Sequence, residues 1–292
     1  MQGVLFDDCE RRDIVPTKGQ LLKWIGNKQR FATEITSFFP SKMGRYFEPF
    51  LGSGAVLGTL APKSAFGSDA FDALIEIWQT LQRSPSTLKR WYADRWTAMM
   101  AGDKVEAYEK TKAAYNLRPN GADLLFLCRT CYGGVVRFRR TDGAMSTPCG
   151  PHAPVSPKAF ARRVDEWHVR TTGAEFAVLD FADAMNRAER GDLVYCDPPY
   201  SDTQKILYGA QAFDLSRLLE SIRQCKERGV LVALSIDGSK QSGNKICNVP
   251  IPGKLFAREV PITCGRSMLR RFQMGGQTLE NEVVADRLLL TY

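Results

Sequence analysis

The stretch Leu193-Val194-Tyr195-Cys196-Asp197-Pro198-Pro199-Tyr200 decides how the chain is read. Leu193 to Cys196 form a short run bounded by Gly191-Asp192 and two prolines, the pattern of a buried strand. Neither proline can donate to a β-ladder, so the strand ends at Asp197. An acid and an aromatic ring then project from a stiff loop at the carboxyl end of a strand, where open α/β sheets bind ligands. The Asp197 carboxylate and the Asp197 and Pro198 carbonyls are acceptors, and Tyr200 offers a flat face with a polar tip. That set suits a planar ring bearing an exocyclic amine, stacked on Tyr200 with its amine hydrogens accepted.

Upstream, Arg45-Tyr46-Phe47-Glu48-Pro49-Phe50-Leu51-Gly52-Ser53-Gly54 and the run from Ala55 to Leu60 read as strand, glycine turn and helix. Gly52 and Gly54 permit close backbone approach, and the helix amino terminus behind them favours a carboxylate. A second strand, Ala65 to Ser68, ends in Asp69, where an acid suits the two hydroxyls of a ribose. From Phe71 to about Trp167 the strand–helix alternation stops. Helices are predicted over Phe71 to Gln82, Ser86 to Met100 and Val105 to Tyr115, followed by a helical run from Ala122 to Cys131. Asp142-Gly143 then signals a hairpin, with Val135 to Arg140 and Ala144 to Thr147 as its strands. Arg129, Arg137, Arg139 and Arg140 are interleaved there with Tyr132 and Phe138, a basic arm of a shape that fits a DNA groove. The alternation resumes with a strand from Glu175 to Leu179 ending in Asp180-Phe181. A helix from Leu215 to Lys226 capped by Asp214, a strand from Val230 to Ser235 and a last one within Glu282 to Tyr292 complete the pattern. Near the amino end, Arg30 to Phe39 reads as an amphipathic helix stopped by Pro40.

The 292 residues carry 40 Lys+Arg against 32 Asp+Glu, a net charge of +8 that is compatible with a polyanionic partner. No apolar leader opens the chain and no run is long enough to span a bilayer, so a cytoplasmic bacterial or phage protein is expected. Its eight cysteines are then expected as thiols. Cys128-x2-Cys131 followed by Cys149-x2-His152 has zinc-site spacing, but the first pair simply shares a helix face at i, i+3. No metal is expected.

Asp197-Pro198-Pro199-Tyr200 resembles the catalytic motif of the amino-methyltransferases, which use S-adenosylmethionine. Lys23-Trp24-Ile25-Gly26-Asn27-Lys28 is similar to the amino-terminal motif of the Dam-type (D12 class, α-group) DNA adenine N6-methyltransferases, with Asn27 where those enzymes often have Gly. The resemblance implies a Rossmann-like S-adenosylmethionine-dependent α/β sheet with an inserted, mostly helical target-recognition domain carrying a β-hairpin. The expected division is a flexible arm over 1–17, a catalytic domain over 18–75 and 171–292, and the insert over 76–170. It also implies that Asp197, Pro198 and Tyr200 hold the adenine. Trp24, Lys28, Phe50, Gly52, Gly54, Asp69, Asp180 and Phe181 would line the cofactor pocket, Asp180 and Phe181 at its adenine. Double-stranded DNA would meet Tyr132, Arg137, Arg139, Arg140 and Pro148, with Arg266, Arg270 and Arg271 on phosphates. Gly133 stands where relatives often carry Asn, and Val135-Val136 replace Leu-Cys, so the recognition sequence is open. Methylation of cytosine N4 or RNA adenine is the alternative chemistry, disfavoured by Asp197 because those groups more often begin the motif with Ser or Asn. A DNA-binding protein without catalysis is the other alternative. Any cognate restriction endonuclease would be a separate chain.

Overall fold

The computed structural model describes residues 19–139, 141–199, 213–237, 253–263 and 285–292. Helix α1 (Ala32–Ser37) leads into β1 (Tyr46–Glu48), α2 (Ala55–Leu60) and β2 (Ala65–Asp69). Five helices follow, α3 (Asp72–Arg83), α4 (Pro85–Met100), α5 (Lys104–Leu117), α6 (Gly121–Thr130) and α7 (Pro157–Arg170). The chain returns to the sheet through β3 (Ala174–Val178), α8 (Phe181–Asn186), β4 (Leu193–Cys196), α9 (Leu215–Glu227), β5 (Leu231–Asp237), β6 (Arg258–Thr263) and β7 (Ala285–Leu290).

The seven strands are ordered β3-β2-β1-β4-β5-β7-β6. The first five run parallel, and β7 pairs antiparallel with both β5 and β6. Strands β1 and β4 are buried throughout, as expected for a parallel sheet covered on both faces. The order reverses between β1 and β4, because β2 lies on one side of β1 while β4 begins the other half. A crevice opens at such a switch point, outside the carboxyl ends of the strands. Glu48 ends β1, and Asp197 follows β4 at the same edge.

Helix α6 is the axis of the helical insertion, and all ten of its residues are buried. Asn120 caps it through Asp123 N–H at 2.8 Å. A boundary between 75 and 76 runs through α3, whose buried Leu74, Ile77 and Trp78 belong to one hydrophobic cluster shared by the sheet and the insertion. The insertion also clasps the amino-terminal segment. Arg129 donates to the carbonyls of Gln20 and Leu21 at 3.0 and 2.8 Å, and Trp167 Nε1 donates to that of Gly19 at 2.6 Å.

The basic arm folds back as a hairpin without two regular strands. Among the described residues its antiparallel pairing consists of isolated bridges, Cys131 with Cys149 and Phe138 with Met145. Side chains complete the remaining bonds: Thr147 Oγ1 accepts from Arg137 N–H and donates to Val135 carbonyl, while Asn116 pairs with both backbone groups of Met145. The alternation is nonetheless that of a strand, with Val136 and Phe138 buried and Arg137 and Arg139 exposed. Gly133 and Gly134 enter the arm at φ 66° and 68°. That left-handed region is open to Gly, and to Asn more readily than to other side chains. Helix α1 is shorter than its apolar spacing predicts, and β6, α7 and α8 are elements that the sequence pattern leaves unmarked.

Candidate active site

A cavity of about 650 Å³ lies over the switch point. Its walls include Trp24 to Lys28, the turn from Glu48 to Ser53, Asp69 at the end of β2, and Asp197 after β4. Aromatic rings close one end, and the tip of the arm, Asp142 to Ala144, faces the same space.

The glycine turn is shaped by what surrounds it. Gly52 and Gly54 have φ of 46° and 59°. A Cβ at Gly54 would stand 2.8 Å from the Trp78 ring, and one at Gly52 would stand 3.3 Å from the Trp24 ring. Trp78 Nε1 donates to the Gly52 carbonyl at 3.1 Å, so a core residue of α3 fixes the turn from behind. Asp69 accepts from Gly52 N–H at 3.1 Å and from Phe71 N–H at 3.2 Å. Burial raises its carboxyl to about 6, against the pull of those backbone donors.

At the ring end, Phe50 and Phe181 stack with centroids 5.2 Å apart, and Phe213 meets Phe50 edge-on at 5.9 Å. Asp180 caps α8 through Ala182 N–H at 2.9 Å. Its carboxylate also takes both terminal nitrogens of Arg217, at 2.6 and 2.9 Å, while the guanidinium lies 4.8 Å from the Phe181 ring centroid. Arg217 was invisible as a site residue in the sequence, since a helix-surface arginine has no motif around it.

At the other end, buried Lys28 pairs with Asp197 at 2.8 Å and lies 3.7 Å from Asp286 of β7. The amino-terminal motif therefore reaches the acid of the Asp-Pro-Pro loop itself. Pro198 is buried beside it and Pro199 lines the cavity. In the sequence Glu48 reads only as part of a strand. It is a cavity-lining acid held through Oε2 by Tyr46 O–H at 2.8 Å and Leu57 N–H at 2.9 Å. Burial, with Asp197 nearby, raises its carboxyl to about 8.

On the arm, Tyr132 is exposed, Arg137 and Pro148 face outward, and Arg139 is tied to Asp142 at 2.5 Å. Tyr200, Arg140, Arg266, Arg270 and Arg271 lie outside the described residues. Cys128 and Cys131 donate to helix carbonyls, and burial raises their thiols to about 11 and about 12.

The strand order, the glycine turn and the two acids at adjoining strand ends define a Rossmann-like S-adenosylmethionine-dependent methyltransferase. Residues 24–245 match the D12 class N6 adenine-specific DNA methyltransferase family, and the chain belongs to that family. It is 27% identical over 240 residues to the Type II methyltransferase M1.LlaDCHI of Lactococcus lactis subsp. cremoris, covering 74% of this chain and 80% of that one. It is 26% identical over 251 residues to the DNA N-6-adenine-methyltransferase of Escherichia phage P1, covering 80% of this chain but 32% of the phage protein. The Type II methyltransferase M.MjaIII of Methanocaldococcus jannaschii is 26% identical over 245 residues, with 73% and 82% covered. Family membership makes the reaction adenine N6 methylation in DNA, with S-adenosylmethionine as methyl donor. No helix among the described residues is long and apolar enough to cross a membrane.

Proposed function

We propose that the chain binds double-stranded DNA with its basic arm, flips the target adenine into the cavity and methylates it beside Asp197. Taking the base out of the stack costs a few kcal/mol. Arg137 and Tyr132 read or position the duplex, helped by Pro148 and by Arg140, Arg266, Arg270 and Arg271. Arg139 contributes less, because Asp142 already neutralises it.

The cavity suits the cofactor part by part. The left-handed turn presents the Gly52 backbone to the cavity while Gly54 packs behind it against Trp78, Asp69 offers a carboxylate to ribose hydroxyls, and Phe50 and Phe181 flank a planar base. Asp180 already accepts three hydrogen bonds and retains acceptor capacity on Oδ2 for an adenine amine. Trp24 and Lys28 wall the opposite end. S-adenosylmethionine supplies a methyl group on a sulfonium, an electrophile already activated for transfer, so no metal is assigned a part.

Asp197 and the Pro198 carbonyl accept the two N6 hydrogens, and Tyr200 stacks on the ring. Holding both hydrogens aims the nitrogen lone pair at the methyl carbon. Positive charge grows on nitrogen as the bond forms. The Asp197–Lys28–Asp286 group has two carboxylates and one ammonium, a net single negative charge placed to stabilise it. Asp197 need not deprotonate the amine first, since a carboxylate is a poor base for so weak an acid.

The observation that carries this reading is the position of Asp197, paired with Lys28 at the switch point in the same cavity as the glycine turn and the arm tip. The test is incubation with unmethylated duplex DNA and labelled S-adenosylmethionine, followed by digestion and mass identification of the nucleoside. N6-methyladenine is expected, and Asp197→Ala should abolish it while cofactor binding persists. An active Asp197→Ala enzyme would overturn the mechanism.

A further inference from the structure

The two ends of the basic arm meet at a pair of cysteines. Tyr132 N–H donates to the Pro148 carbonyl at 2.9 Å, and Gly150 N–H donates to the Thr130 carbonyl at 2.8 Å. Between these bonds Cys131 and Cys149 face each other as an antiparallel bridge. It is a pair of the non-hydrogen-bonded kind, since Cys131 N–H goes instead to the Leu127 carbonyl at 2.8 Å. Residues paired in this way have Cα atoms about 4.5 Å apart and side chains on one face. A disulfide spans Cα separations of about 4.4–6.8 Å, so the register brings the two thiols within bonding reach.

The sulfurs also share a neighbour. The Tyr108 hydroxyl is held above its ordinary value by burial first and then by the charge that Cys131 and Cys149 would carry. Each thiol is held only by a long hydrogen bond, Cys131 to the Cys128 carbonyl at 3.7 Å and Cys149 to the Gly150 carbonyl at 3.5 Å. Cys128 is fully buried and donates to the Leu125 carbonyl within α6 at 3.2 Å. Cys149 is half-buried and Cys131 buried, so an oxidant from solvent reaches Cys149 first.

We propose that Cys131 and Cys149 are a reversible thiol–disulfide pair, closed by a peroxide and reopened by a dithiol, that ties the two ends of the arm together. Hydrogen peroxide converts the Cys149 thiol to a sulfenic acid and is reduced to water. The Cys131 sulfur then attacks the sulfenic sulfur. The S–S bond forms, the S–O bond breaks, and the leaving hydroxide takes the Cys131 proton as a second water. Tyr132 and Pro148 are the next residues along each end, so on the reading of the arm given above the bond restrains the part of the chain that meets DNA. Burial raises both thiols, which makes closure slow near neutral pH.

The experiment treats the whole protein with hydrogen peroxide at mildly alkaline pH, alkylates the remaining thiols and digests with trypsin without reduction. Cleavage after Lys112, Arg129, Arg137, Arg140 and Lys158 puts Cys128, Cys131 and Cys149 on separate peptides, 113–129, 130–137 and 141–158. Mass spectrometry should find 130–137 joined to 141–158 in most of the protein, and dithiothreitol should release both. The link should be lost in Cys149→Ser, a change at a half-buried position that leaves the core closed, and kept in Cys128→Ser. A link through Cys128, bridges between two copies, Cys149 carried on to sulfinic acid, or thiols that stay unjoined would overturn the proposal. So would equal formation of the link in urea, where the register is gone. Neither cofactor nor DNA takes part, so the result is independent of the proposed function.

Discussion

Replacing Lys28 by Met tests the arrangement around Asp197 more sharply than replacing Asp197 itself. The Lys28 side chain is 6% exposed, and Asp197 and Asp286 are 18% and 13% exposed, so its removal leaves two carboxylates facing each other with little water between them. Truncating one partner of a buried pair costs about 3–5 kcal/mol. Partial access of water to Asp197 brings the expectation to the lower end, about 3 kcal/mol. For a chain of this size that is roughly 6–12 °C in melting temperature. A Lys28→Met, Asp197→Asn cycle isolates the interaction: the double variant should be more stable than the sum of the single losses predicts, by about 1.5–3 kcal/mol. Urea unfolding of all four proteins measures it. A Lys28→Met protein as stable as its parent, or singles that simply add, would refute the claim that Lys28 organises the acid.

Gly54→Ala should lower stability by about 1–3 kcal/mol and weaken cofactor binding, because alanine resists φ of 59° and its Cβ would meet Trp78 at 2.8 Å; thermal melts and titration with S-adenosylhomocysteine measure both, and an unchanged protein would mean the turn is not constrained by Trp78. Asp69 is ionised only above about 6, so cofactor affinity should fall as pH drops through that value, and Asp69→Asn should flatten that limb of the binding profile. Arg137→Ala should weaken DNA binding and reduce the salt dependence of affinity by about one unit of slope if it meets phosphate, or relax sequence preference if it meets a base edge. Fluorescence anisotropy on two duplex sequences across a salt series distinguishes these outcomes, and no change in either would remove Arg137 from the interface.

The elements that bear chemistry were the most legible. Asp197, Gly52, Gly54 and Asp69 sit at strand ends, where prolines, glycines and acids interrupt apolar runs, so local sequence marks them. The amino-terminal motif marks Lys28 as well, but its pairing with Asp197 and its approach to Asp286 have no local signal, because both acids lie far along the chain. Glu48 carries no local signal for a related reason: one acid after two aromatics reads as part of a strand, and its burial follows only from the packing of β1 against β4 and α2. Trp78 and Arg217 belong to helices whose patterns explain them without any site. The arm showed its alternation of Val136, Arg137, Phe138 and Arg139, yet not its irregular ladder, which depends on Asn116 from a different helix.

On the proposed reading of the insertion as the part that meets DNA, the clasp on the amino-terminal segment has a consequence for exchanging specificities between relatives. Gly19, Gln20 and Leu21 present carbonyls to Arg129 and Trp167, residues of the helical insertion, while Lys28, a few residues on, pairs with Asp197. A graft of the insertion alone would bring foreign side chains to these carbonyls and loosen the approach to Lys28. The exchangeable unit in this chain is therefore discontinuous: a chimaera that keeps its turnover must carry Gly19 to Lys28 along with the insertion, as a single cassette cut at two places.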